Sequence, residues 1–230
     1  MEPINFDNHL FRCSQLGKLM TDARSKTEKL SETTKKYLYE IYIKKRFGRK
    51  KEIRSKFLEK GLGVEELSMD TYSICTMEFV TKNETFFKNN FICGTPDIVT
   101  EDTIIDIKSS WDIHTFAAIK NEENKDYILQ LQGYMWLTGR TKAKLAYVLT
   151  DTPEALIERE LKQALYQSGV SADSEAFQDY VKEMQKQFRY EDLEYKDRIH
   201  VKEYDFDKTL IDPLCKRIND CRDFLNKIVW

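Results

Sequence analysis

Apolar residues recur three and four apart along most of this chain, and the pattern changes in its middle third. Ser31-Glu-Thr-Thr followed by KKYLYEIYIKKRFG sets Tyr37, Leu38, Ile41 and Ile43 in a broad stripe. A hydroxyl precedes the stripe and Gly48 follows it, which predicts a capped helix. A second helix is predicted from about Ile53 through Asp70, interrupted near its middle by Gly61 and Gly63. The pattern then shifts to β-rich runs, TYSICTMEFV and ETFFKNNFICG, and Thr81-Lys-Asn between them predicts a hairpin. TIIDIKSS, from Thr103 to Ser110, is a short strand after an acidic turn.

Helical spacing returns in DYILQLQGYMWLTG through Ile128, Leu131, Met135 and Leu137, with Gly139 closing the element. KAKLAYVLT has the composition of a buried strand. Beyond Thr152 the chain is helical and charged, with Asp151-Thr-Pro-Glu as an N-terminal signal. RIHVKEYDF adds a strand, and Lys208 to Ile228 a final amphipathic helix. The order helix, three strands, helix, strand places Gly94 to Ser110 on adjacent strands of one mixed sheet, with the helix from Asp126 packed across it. No internal repeat and no linker rich in Pro, Gly or Ser divides the 230 residues. They read as one domain, with a helical part over 1–70 carrying a basic face, a core over 71–150 and a helical and strand extension over 151–230.

Composition narrows the classes. Hydrophobic content of 41% and charged content of 33%, with 8 Gly and 4 Pro, exclude disordered and collagen-like chains. A chain of this length buries roughly 70% of its unfolded surface and needs no disulfide or metal staple. MEPINFDNHLFRC lacks the basic start and apolar run of a signal peptide, and no stretch approaches the ~18 apolar residues of a membrane span. Five cysteines, an odd count at irregular spacing, read as reduced thiols, so a cytoplasmic protein with no membrane partner is expected. The net charge of -2 does not suggest nucleic acid, but its distribution adds something. The block KKRFGRKKEIRSK, Lys44 to Lys56, follows Lys26, Lys29, Lys35 and Lys36, whereas the acidic surplus falls beyond Asp151. A phosphate-tracking groove has this asymmetry, and so does a solvated helix face.

The chemistry concentrates in Gly94-Thr-Pro-Asp97 and Asp106-Ile-Lys108. Two strands joined by a polar turn bring Asp97 beside Asp106, and Asp106 and Lys108, two apart, share a face. Carboxylates set among Ile104, Ile105 and Ile107 cost stability unless something neutralises them. Hard oxygen ligands suit Mg2+ or Mn2+. Such an ion activates water for phosphodiester hydrolysis, and Lys108 beside it can orient the attack or stabilise the developing charge. A bare Asp-x-Lys is common in surface hairpins. Pro-Asp with a second aspartate nine residues later, at the end of an apolar strand, favours catalysis. On the helix that follows, Gln130 and Tyr134 share a face, while Gln132 points elsewhere. Gln130 can hydrogen-bond the attacking water or a phosphate oxygen. Tyr134 and Trp136 read first as core, with Tyr134 kept as a DNA-facing candidate. His9, His114 and His200 are too scattered for a zinc site, and no glycine-rich phosphate cradle indicates ATP hydrolysis.

GTPD…DIK resembles the PD-(D/E)xK nuclease motif, and Gln130-Leu-Gln-Gly-Tyr134 resembles the Q-x-x-x-Y helix of its RecB-like branch. More narrowly, the chain resembles the YqaJ-type viral recombination exonucleases, the group that includes the phage lambda exonuclease. FRCSQLGKLMTDARS (Phe11 to Ser25), Gly61-Leu-Gly-Val-Glu65 and QLQGYMWLTG followed by AYVLTDTPE carry the likeness over most of the sequence. The resemblance implies a restriction-endonuclease-like α/β fold, a mixed central sheet flanked by helices with a helical C-terminal extension. It implies Asp97, Asp106 and the Ile107 carbonyl as metal ligands, Lys108 as the catalytic lysine and Glu65 as a further carboxylate. Glu66 is adjacent, and the ~100° turn per helical residue lets only one of the two face the site. Arg12 and Ser14 fall where the family holds a terminal phosphate, with Lys18, Arg24 and Lys36 as weaker candidates.

The implied activity is Mg2+-dependent digestion of linear double-stranded DNA from the 5′ end, leaving 3′ overhangs for recombination. The implied partners are DNA ends, a single-strand annealing protein and, in some relatives, two further copies forming a ring trimer. Some RecB-like nucleases hold an iron-sulfur cluster on four cysteines. Here Cys13, Cys215 and Cys221 have partly matching spacing, but Asp212 takes the remaining position, so no cluster is expected. The rival readings are a structure-specific endonuclease, a RecB-like or CRISPR-associated nuclease module, and a catalytically idle DNA-binding protein on the same fold.

Overall fold

The computed structural model describes residues 4–52, 55–119 and 122–230. It opens with β1 (Phe11–Arg12), a 3-10 turn over Cys13–Gln15 and the single-turn helix α1 (Leu16–Leu19). Phe11, Cys13, Leu16 and Leu19 are fully buried. Helix α2 (Glu32–Phe47) is the capped helix its sequence predicts: Ser31 Oγ accepts the Thr34 N–H at 3.1 Å, and Gly48, at φ 65°, closes the last turn. The glycine-interrupted helix is two helices, α3 (Lys56–Gly63) and α4 (Glu65–Thr76), which meet at Val64. The expected start at Ile53 lies outside the described residues.

The predicted long hairpin does not form. Thr71 to Thr76, read as strand, completes α4, because Tyr72 packs fully buried against Ile98, Ile105 and Ala146. Burial of that ring outweighs the β-preference of Thr71, Tyr72 and Ile74. Residues 77–86 contain no strand, so Thr81-Lys-Asn is not a hairpin turn. The actual hairpin is shorter and later, β2 (Phe87–Lys88) and β3 (Ile92–Gly94), turned by Asn89, whose Oδ1 accepts the N–H groups of Phe91 and Ile92. Gly94 to Ser110 also divides between two sheets. The smaller has the order β1-β3-β2, and the larger begins at β4 (Ile98–Val99).

The larger sheet runs β4, β5 (Thr103–Ser109), β6 (Lys142–Val148), β7 (Ile199–Asp205). The β5–β6 pair is parallel and its neighbours antiparallel. A parallel pair needs a crossover, here α5 (Ile113–Ile119) and α6 (Lys125–Thr138). After β6 come α7 (Glu154–Ser168) and α8 (Glu175–Phe188), and after β7 comes α9 (Ile211–Asn226). The C-terminal extension therefore supplies a strand of the central sheet. Asp151 does not cap α7; its carboxylate accepts the Tyr190 N–H at 2.9 Å.

Strand alternation separates the two faces of the sheet. Ile104, Leu145 and Tyr147 pack with Leu131 and Met135 of α6, Leu38 of α2 and Ile218 of α9. Ile98, Ile105 and Ala146 pack on α4. A third cluster joins Trp111 to Leu156, Ile157, Met184 and Phe188. The result is the mixed sheet flanked by helices that a PD-(D/E)xK-like core has. Close approach explains two glycines: a Cβ on Gly133 would lie 2.8 Å from Leu16 and 3.0 Å from Cys13 Sγ, and one on Gly94 would lie 2.6 Å from the Tyr134 ring. Among the described residues no helix is long and apolar enough to cross a membrane.

Candidate active site

The register Ile98↔Ile105 sets Asp97 opposite Asp106 at the mouth of the β4–β5 ladder. Asp97 Oδ2 accepts the Ile107 N–H at 2.9 Å. Asp106 is 1% exposed on a strand whose neighbours are isoleucines. Its Oδ2 stands 2.7 Å from Lys108 Nζ, and its Oδ1 accepts Gln130 Nε2 at 2.9 Å. Gln130 Nε2 also donates to the Tyr134 hydroxyl at 3.2 Å. One turn earlier on α6, the Tyr127 ring lies 4.9 Å beneath Lys108 Nζ. Successive turns of one helix thus hold first the lysine and then the carboxylate.

Electrostatics follow from this packing. Burial, and then the facing Asp106 carboxylate, push Asp97 up to about 7, with Lys108 and the Ile107 N–H pulling the other way. Burial favours a neutral Lys108, but attraction from Asp106 and Asp97 outweighs it and raises its pKa. The cluster therefore pairs a fixed cation with two carboxylates that repel each other.

Glu65, the first residue of α4, lines the same cleft as Asp97, Ile107 and Lys108, whereas Glu66 is exposed. The Glu65 carboxylate is engaged by Lys82 at 2.8 Å. Two of the expected residues are buried. Gln130 is buried against Asp106 and directs its amide there, not into the cleft toward water or phosphate. Tyr134 is 5% exposed and presents no stacking face to DNA. Arg12 and Ser14 are exposed on and just after β1, Arg12 in register with Cys93 four residues before Asp97. Lys18 stands 5.1 Å over the Tyr37 ring, and Arg24 and Lys36 are exposed. None of these five lines the cleft around Lys108.

The sequence reading missed Tyr127 and Lys60. Tyr127 lies three residues before Gln130, so the shared helix face was a usable signal. Lys60 is fully buried on α3 and donates to the carbonyls of Trp111 and Thr150, both at 2.8 Å. These carbonyls follow the ends of β5 and β6, so Lys60 ties α3, and Glu65 beyond it, to the strand ends. Burial pushes Lys60 down to about 8.

Among the described residues no three His, Cys, Asp or Glu side chains stand together as a ready metal shell. The local chemistry nevertheless suits a hard cation. Asp97 and Asp106 are adjacent carboxylates, and Asp106 Oδ2 is buried without an aligned hydrogen-bond donor. Glu65 could add a third carboxylate on leaving Lys82.

No protein-family model and no curated protein matches the sequence. Solved structures do. A phage-related exonuclease from Haemophilus somnus 129PT superposes with a TM-score of 0.76 at 26% identity, covering 96% of this chain and 95% of that one. An alkaline exonuclease from Laribacter hongkongensis shares the fold, with a TM-score of 0.62 at 17% identity over 95% of this chain and 89% of that one. That enzyme has also been solved in complex with dAMP. With Asp97 facing Asp106 and Lys108 on β5, and Gln130 and Tyr134 on the following helix, this chain shares the mixed α/β fold of these proteins and is similar to the phage-related, lambda-exonuclease-like nucleases.

Proposed function

We propose that this protein is a metal-dependent exonuclease that hydrolyses linear double-stranded DNA from its ends. The observation that carries the reading is the meeting of Asp97, at the entry to β4, with Asp106 and Lys108 on β5, braced by α6. Asp97, Asp106 and the Ile107 carbonyl would hold Mg2+ or Mn2+, with Glu65 completing the carboxylate set. When bound, the ion supplies charge stabilisation at the scissile phosphate and a water of lowered pKa. Gln130 fixes the rotamer of Asp106, and Tyr134 fixes Gln130. Lys108 stays protonated, and its ammonium, steadied over Tyr127, can move from Asp106 to a phosphate oxygen as negative charge grows there. Arg12 and Ser14 would grip a terminal 5′-phosphate, as digestion from the 5′ end requires. The 3′ overhang so produced would suit a single-strand annealing partner.

The test is a Mg2+ cleavage assay on linear duplex and closed circular DNA, wild type beside Lys108→Ala. Loss of linear DNA alone, abolished in the variant, is the expected result. Nicking of the circle would move the protein to the endonuclease reading, and retained cleavage by Lys108→Ala would overturn the site.

A further inference from the structure

The segment between α4 and β2 contains no strand, yet it is fixed at two points beside the cleft. Asn83 makes the first. Its backbone N–H donates to the Asp97 carbonyl at 2.7 Å, and its Nδ2 donates to the Pro96 carbonyl at 3.0 Å. Its Oδ1 accepts the Thr85 N–H at 3.1 Å, which folds the chain into a local turn. Three residues earlier, Val80 packs against the cluster of Tyr72, Ile98, Ile105 and Ala146. The backbone at Lys82 is therefore held against the residue that carries the first aspartate.

The second point is Lys82 itself. Its ammonium meets Glu65 Oε1 at 2.8 Å, and Glu65 lines the same cleft as Asp97 and Lys108. The hydrogen bond to Glu65, then attraction from that carboxylate and from Asp97, raises the Lys82 pKa, so the group keeps its charge. The two side chains are 49% and 41% exposed, and an ion pair in that setting adds little to stability. It is weak enough to be exchanged for another partner.

Charge decides what the exchange achieves. Asp97, Asp106 and Glu65 face two ammonium groups, Lys108 at Asp106 and Lys82 at Glu65. With all three carboxylates ionised, the set carries one net negative charge while Lys82 is seated and two when it withdraws. The second state matches a divalent cation. A withdrawn Lys82 stays at the cleft because Asn83 anchors its backbone there, and the polyanion that the cleft receives offers it phosphate oxygens.

We propose that Lys82 is an exchangeable counter-ion: it neutralises Glu65, yields that carboxylate to the divalent cation, and passes its own ammonium to a backbone phosphate of the DNA. The inference rests on the nuclease reading above and adds to it a coupling between metal and substrate. A phosphate that takes up Lys82 frees Glu65, so each ligand tightens the other.

Calorimetric titration with MgCl2, without DNA, compares wild type, Lys82→Met, Glu65→Gln and the double variant. Lys82→Met should bind Mg2+ up to about fivefold more tightly than wild type, the scale of an exposed ion pair. That gain should vanish in the Glu65→Gln background. Unchanged affinity in Lys82→Met, or the same gain in both backgrounds, would overturn the exchange. A second measurement follows binding of a linear duplex to Lys108→Ala, so that the DNA stays uncut, at rising NaCl with Mg2+ or with EDTA. Adding Lys82→Met should reduce the slope of log affinity against log salt by about one with Mg2+ and leave it unchanged with EDTA. Equal reduction in both would make Lys82 a plain phosphate contact, and no reduction in either would remove it from the DNA path; each result overturns the exchange. Asp97→Ala, titrated alongside, keeps the two readings apart. Mg2+ affinity lost in Asp97→Ala but unaltered in Lys82→Met sinks the exchange alone. Wild-type affinity in Asp97→Ala sinks the aspartate centre, and the exchange with it.

Discussion

A methyl group on Gly94 would stand 2.6 Å from Cε1 of Tyr134, and the hydroxyl of that ring accepts from Gln130, which in turn holds Asp106. The contact is with an aromatic side chain packed 5% exposed, so it cannot be relieved at its far end. Gly94→Ala should displace Tyr134, and through Gln130 the carboxylate of Asp106. Misplacement of that order costs about 100-fold in turnover. A variant with lowered Tm but wild-type kcat would show that the Tyr134–Gln130–Asp106 chain does not position the site. Lys60 offers a different handle. Burial lowers its folded pKa from 10.5 to about 8, so between pH 8 and 10.5 the unfolded chain holds more protons than the folded one. Stability should therefore rise with pH across that window, by up to about 1.4 kcal/mol per pH unit relative to Lys60→Met, and show no such slope below pH 8. Urea midpoints of the two proteins at pH 7, 8, 9 and 10 measure it, and a constant difference from pH 8 to 10 would contradict it.

At the scale of elements, what the sequence made legible is what local chemistry decides. Helix α2 carries its own start and stop, and Ser31 does more than cap it: its Oγ also lies 2.8 Å from Thr21 Oγ1 and 2.9 Å from Thr34 Oγ1. Ser31→Ala should cost about 1–2 kcal/mol, at the upper end of cap losses because buried hydroxyls lose a partner. Denaturant unfolding would check it; a loss below a few tenths would mean that water replaces the hydroxyl. Strands β5, β6 and β7 and helix α6 were legible for the same local reason. Helix α4 was not, since its β-forming residues are held helical by Tyr72 meeting a sheet that sequence reading cannot assemble. The hairpin was misplaced in consequence. Within the site, Asp97, Asp106 and Lys108 stood out because charges on an apolar strand demand an explanation. The actual partner of Gln130 and the burial of Lys60 depend on contacts across 24 and more residues of chain, which no spacing rule reports.

For the whole molecule, the cleft is assembled from elements distant in sequence: Asp97 directly precedes β4, β5 carries Asp106, α4 carries Glu65, α6 holds the braces and α3 is pinned by Lys60. A cation bound there would therefore be linked to global folding, since the unfolded chain has no equivalent site. At a Mg2+ concentration about 100 times its Kd, the linkage amounts to roughly 2.7 kcal/mol. For a chain of this size that is a rise in Tm of roughly 5–10 °C. Lys108→Ala should keep the rise, because the lysine is not among the proposed ligands and its removal leaves Asp97 and Asp106 with more need of a counter-charge. Asp97→Ala combined with Asp106→Asn should abolish it. Thermal unfolding of the three proteins with and without Mg2+, using monovalent salt at matched ionic strength as the reference, separates site binding from screening. If the doubly substituted protein were stabilised as much as wild type, the cation would bind outside the aspartate pair, and hydrolysis would need another centre. If wild type gained nothing while still digesting DNA, the ion would be held only together with the scissile phosphate, so that substrate completes the metal shell.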